Sequence, residues 1–198
     1  MWHYVKQALL PFLYLFFTAI SAFGIVSINN DLIWLKVVLG IANLGVYAFI
    51  IGASSFKDGQ EALKVRIAND LERVQIIKTG EDRPLRLREE YKAWKGFFIG
   101  FVACAPLIVL LLIHTILIFA VGEAFVGAGA VAGFIYMMYY MFALVDSTIQ
   151  FSVFNYYWAL FAIPIMMLIT GIPYLLGARK IEIQQQAIKE SHRQIYGE

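Results

Sequence analysis

Residues 57–80, KDGQEALKVRIANDLERVQIIKTG, interrupt an otherwise apolar chain, and how they are read decides the fold. Together with their continuation to Lys95 they hold ten basic and eight acidic residues, more than half of all charges in the protein. Within them Leu63, Ile67, Leu71, Val74 and Ile77 recur at three- to four-residue steps, the period of a helix with one apolar stripe. Thr79-Gly80 is a stop signal for that helix, and Pro84 begins a new piece. Glu89–Lys95 then leads toward the next apolar run, with Tyr91 and Trp94 as interfacial anchors.

On both sides the composition is of another kind. Of 198 residues, 61% are hydrophobic and 15% charged, with a mean hydropathy of +0.71. Soluble domains carry roughly 25% charged residues. A soluble core has no way to hide this much apolar surface, whereas a bilayer does. Unbroken apolar runs of about 20 residues specify helices, because barrel strands alternate over about 10 residues. The sequence therefore predicts an all-α integral membrane protein. Its expected form is a polytopic bundle of four to five transmembrane helices with a cytoplasmic amphipathic helix.

Residues 1–56 form an N-terminal hairpin, with spans at 8–28 and 32–56 joined by the turn cluster Asn29-Asn30-Asp31. Pro11 falls in the first turn of the first span, where a missing N–H costs least. That span exceeds the 7–15 residues of a signal-peptide apolar region and reads as retained. Residues 57–95 are the charged helical segment. Residues 96–177 hold three further membrane segments, 97–121, 127–145 and 156–176. The last is opened by Tyr156-Tyr157-Trp158 and closed by Arg179-Lys180, so that Trp94, Lys95, Trp158, Arg179 and Lys180 are expected as interfacial anchors. The tail, 178–198, is polar, with Ile181, Ile188 and Ile195 spaced as one stripe on a surface helix.

Lys and Arg in short loops mark the cytoplasmic side. The central stretch has ten, whereas the turn near residue 30 offers only Asp31 and that near residue 122 only Glu123. The N-terminus and residues 57–95 are thus expected in the cytoplasm of a multi-pass protein in a bacterial plasma membrane. Five crossings would place the tail outside, but Arg179, Lys180, Lys189 and Arg193 favour the inside. Segment 127–145 is glycine- and tyrosine-rich, and a re-entrant course for it would remove the conflict.

Polar residues inside a bilayer are costly and mark candidate sites. His114 lies about 10 Å from the outer end of its segment at 1.5 Å per residue, and is either proton-responsive or a neutral hydrogen-bonding histidine. Asp146, with Ser147, Thr148, Gln150 and Asn155 nearby, either lines a vestibule or belongs to a solvated connection. Asn43 is placed to hydrogen-bond between helices, and Lys36 to reach for the outer interface. Small residues four apart, Ala48 with Gly52, Gly96 with Gly100 and Gly129 with Gly133, favour close helix contacts. Cys104 reads as a small packed hydrophobe.

No motif names a reaction. Gly-x-Ser-x-Gly, His-Glu-x-x-His, a Walker loop and Cys-x-x-Cys do not occur, and His3, His114 and His192 are too scattered to suggest a metal. Glu89-Glu90-Tyr91-Lys92-Ala93-Trp94-Lys95 distantly resembles the Glu-Glu-x-x-x-Arg motif of intramembrane CAAX-type proteases. It ends in Lys, and the family's membrane histidine motifs are missing, so the acids read as local partners of Arg86, Arg88 and Lys92.

The expectation is a non-catalytic component of a membrane complex, with no cofactor and no metal. It would work through a protein partner or a second copy at the Leu63, Ile67, Leu71 and Val74 face. A net charge of +2 gives no nucleic-acid field. The alternative is a small-solute or ion transporter or channel using His114 and Asp146, and an intramembrane enzyme stands third.

Overall fold

The structure, a computed structural model, describes residues 2–26, 28, 32–80, 91–121 and 160–196. These form five helices: α1 (Trp2–Val26), α2 (Ile33–Thr79), α3 (Lys95–Ala103), α4 (Ala105–Val121) and α5 (Ala162–Tyr196). There is no strand among the described residues. Four stretches are long and apolar enough to cross a membrane: Tyr4–Ala22, Trp34–Thr79, Lys95–Ala120 and Ala162–Gln194.

The charged stretch is not a separate helix. α2 runs unbroken for 47 residues from the apolar segment through Lys57 to Thr79, about 70 Å at 1.5 Å per residue. No proline falls inside it, and backbone hydrogen bonding is indifferent to the change from apolar to charged side chains. It stops at Gly80, whose φ of 68° and N–H bond of 2.9 Å to the Ile76 carbonyl make the left-handed cap expected there. α5 likewise continues from its apolar half into the polar tail.

Two boundaries differ from the sequence reading. α1 begins at Trp2, so Pro11 lies inside the helix rather than in its first turn. Its missing N–H leaves the Gln7 carbonyl without the usual helical donor. Near Pro106 the third apolar run splits into α3 and α4 at Cys104, whose N–H bonds back three residues to Phe101 at 3.0 Å.

Contacts fix the direction of each helix. Asn43 Nδ2 donates to the Thr18 carbonyl at 2.8 Å, and the Tyr47 hydroxyl donates to the Pro11 carbonyl at 3.3 Å, so α1 and α2 are antiparallel. Tyr47 Oη also lies 3.0 Å from Met166 Sδ, Gly52 faces Pro173, and Phe56 faces Gly177. Numbers rise together along this seam: α2 and α5 are parallel. Gly96 faces Gly171 and Tyr174 whereas Gly100 faces Thr170 and Met166, so α3 opposes α5. Tyr4 packs on Trp94 and edge-on to Phe98, which brings the starts of α1 and α3 together. The beginning of α1, the charged half of α2, the start of α3 and the polar half of α5 therefore share one end of the bundle. Both α4, at its exit, and α5, at its start, point away from that end.

The seam between α2 and α5 is built from small residues. A Cβ on Gly59 would collide with the Tyr174 carbonyl oxygen and sit 2.9 Å from its carbon. Reciprocally, one on Gly177 would collide with the Phe56 carbonyl oxygen and sit 2.9 Å from that carbon. Backbones approach this closely only where side chains are absent. Above the seam Leu15, Tyr47, Ile51, Ile99, Cys104 and Met166 form the core. The outer faces remain apolar: Phe49 is 77% and Phe119 86% exposed, a surface that suits lipid and not water.

Candidate functional site

Past Phe56 and Gly177, α2 and α5 continue side by side as charged extensions, and a cleft of about 510 Å³ opens between them. α2 lines it with Leu63, Arg66, Ile67 and Asp70. α5 supplies Leu175, Ala178, Arg179, Glu182 and Gln185, and Tyr91, just ahead of α3, forms the third side. The walls are aliphatic, while the Arg66, Asp70, Arg179 and Glu182 side chains are exposed.

Tyr91 is held in place by stacking on Tyr174, with ring centroids 5.6 Å apart and planes 11° from parallel. Burial pushes its phenol above the ordinary value of 10, neighbouring Glu182 adds to the rise, and Arg66 opposes it. One phenol thus senses both a carboxylate from α5 and a guanidinium from α2. Asp70 accepts a 2.7 Å ion-paired hydrogen bond from Arg73, an exposed contact of modest strength. Among the described residues, Arg66, Arg179 and Glu182 take part in no ion pair.

The stripe predicted on α2 divides. Leu63 and Ile67 are half-buried in the cleft, whereas Leu71, Val74 and Ile77 remain 65%, 50% and 80% exposed. The face that α2 buries is a different one, running through Gly52, Ser55, Gly59, Ala62 and Asn69. Its spacing of three, four, three and seven residues was present in the sequence but lies in small and polar residues, not in the large apolar ones.

Of the other candidates that the structure describes, all but Arg179 are absent from the lining of the cleft. Asn43 ties α2 to α1 through Thr18. His114 is 3% exposed on α4, in one row with Leu107 and Leu111. Trp94 is half exposed at the start of α3, with Lys92 Nζ 5.8 Å from its ring. Lys95 is buried at 5% exposure with its Nζ 5.9 Å from the Tyr4 ring, and Lys36 is buried at 8%. Lys180 is exposed and places its Nζ 5.8 Å from the Phe56 ring, while Arg179 belongs to the cleft. In the tail Ile181 is buried and Ile188 is 58% exposed. Asp146, Trp158, segment 127–145, Gly129, Gly133 and the Glu89-Glu90 pair lie outside the described residues.

Chemically the cleft suits binding, because it pairs charged hydrogen-bonding groups with aliphatic walls. No group of three or more metal-ligating side chains occurs among the described residues. The chain matches no protein-family model, and neither a curated protein nor a solved structure is significantly similar to it.

Proposed function

We propose that this protein is a non-catalytic, multi-pass membrane component that docks an amphipathic helix of a partner protein on its cytoplasmic extension. One observation carries the reading: Leu71, Val74 and Ile77 form an exposed apolar row on the charged half of α2. Such a row costs solubility unless something covers it. Burying three side chains of this size supplies on the order of 5 kcal/mol before the costs of association, enough for a regulated contact and not for a permanent one.

The ten Lys and Arg residues between 57 and 95 support a cytoplasmic position for the extension. The parallel course of α2 and α5 supports the same side for the tail. The topology proposed for the described helices is four crossings.

Photocrosslinking in native membranes tests the docking. A photoreactive residue replacing Leu71, Val74 or Ile77 should give one discrete protein adduct, and the same residue at Ile183 should not. Adducts with lipid alone would mean that the row lies on the leaflet, and adducts between copies would replace the partner with a homo-oligomer.

A further inference from the structure

We propose that the cleft between α2 and α5 holds the headgroup of an ethanolamine phospholipid from the surrounding leaflet, its phosphate on Arg66 and Arg179 and its ammonium on Glu182. This rests on the membrane orientation proposed above but uses none of the docking row. The cleft begins at Leu175 and Ala178, where the apolar half of α5 gives way to Arg179-Lys180. That is the level of the headgroup layer, because apolar helix surface ends with the hydrocarbon core. Leu176, the residue after the cleft-lining Leu175, is 52% exposed and offers acyl chains an apolar side chain. A volume of about 510 Å³ lies within the usual range of small-ligand sites, roughly 300–1,000 Å³.

The charges select the headgroup. With Asp70 engaged by Arg73, the cleft presents two guanidiniums and one carboxylate that have no ion-pair partner among the described residues. Guanidiniums match phosphate oxygens in paired hydrogen bonds. Glu182 then calls for a cation that can donate hydrogen bonds. An ethanolamine ammonium has three N–H donors, a choline has none, and a glycerol headgroup carries no positive charge. Convergence on one ligand is supported by Tyr91, whose phenol feels both Arg66 and Glu182.

Native mass spectrometry of the full chain, released from nanodiscs of equal phosphatidylethanolamine, phosphatidylcholine and phosphatidylglycerol, tests the assignment. Phosphatidylethanolamine should be retained about tenfold over each of the others, the worth of one charge-assisted hydrogen bond. Arg66→Ala with Arg179→Ala should reduce retention of all three, Arg66→Lys with Arg179→Lys should restore part of it, and Glu182→Gln should abolish only the preference. Equal retention of the three lipids, or indifference to these substitutions in variants with unchanged helix content, would overturn the site. Stabilisation of lipid-free protein by soluble phosphoethanolamine, equal to that by the lipid, would overturn the leaflet as the source. Leu71→Ala with Val74→Ala should leave retention unchanged, and its loss there would also count against the cleft, so this reading fails separately from that of the docking row.

Discussion

Replacing Gly59 by alanine isolates the contact that sets the spacing of α2 and α5. An alanine in a helix ordinarily stabilises it by about 0.8–1.0 kcal/mol relative to glycine. At Gly59 the new methyl would lie 2.9 Å from the Tyr174 carbonyl carbon and 3.1 Å from its Cα, and closer still to the oxygen. Comfortable carbon contacts are roughly 3.5–4.0 Å and the oxygen is nearer still, so the helices must separate by about 1 Å. A gap of that size forfeits about a quarter to a half of each dispersion contact it opens, and overpacking of this kind costs about 1–3 kcal/mol. The clash outweighs the propensity gain, and a net loss of about 1–2 kcal/mol is expected. Gly45→Ala is the control, because nothing lies within 4 Å of a Cβ there. Thermal unfolding in one detergent, followed by loss of helical signal, compares the two. Gly59→Ala should melt lower than the wild type and Gly45→Ala equal or higher. The double variant Gly59→Ala/Gly177→Ala should lose less than the sum, because one separation relieves both clashes. A Gly59→Ala protein as stable as Gly45→Ala would refute the close approach.

Other perturbations test separate parts. Gly80→Ala forces alanine to the φ of 68° at the end of α2 and should cost about 1 kcal/mol locally, seen as faster amide exchange over the last turn. Asn43→Leu removes the 2.8 Å bond to Thr18 and should lower stability by about 0.6 kcal/mol, the average for such bonds between membrane helices; a loss above 2 kcal/mol would show that Asn43 does more than tie α1 to α2. Tyr91 should ionise above pH 10, read as the ultraviolet difference between wild type and Tyr91→Phe; Glu182→Gln should lower that value and Arg66→Ala raise it. Because its folded value is raised, its contribution to stability is complete below pH 10 and fades as pH climbs through the raised value.

What could be read in the sequence follows from which signals are local. Apolar runs announce spans because crossing requires about 20 such residues, and Gly80 announces a stop because the αL conformation favours glycine. The continuity of α2 was hidden because composition changes at Lys57 while the helical hydrogen-bond ladder does not. Its buried face was hidden for a related reason. Large apolar residues signal burial in water, whereas the seam is carried by the small residues Gly52, Ser55, Gly59 and Ala62, which let backbones approach, and not by Leu71 and Val74. The cleft could not be read at all, since it joins residues more than a hundred positions apart through a register that only tertiary contacts define. Charge counting favours the cytoplasm for the tail, and the parallel α2–α5 seam puts the tail at the same end of the bundle as the α2 extension.

Sidedness of α2 and α5 is the most direct measurement. In a Cys104→Ala background, single cysteines at Gln75 on the α2 extension and at Gln186 on the tail, both exposed, would be labelled with a membrane-impermeant maleimide in sealed oriented vesicles. Both should react from the same side. Reaction of Gln75→Cys and Gln186→Cys from opposite sides would contradict the parallel seam and, with it, the cleft and the shared extension.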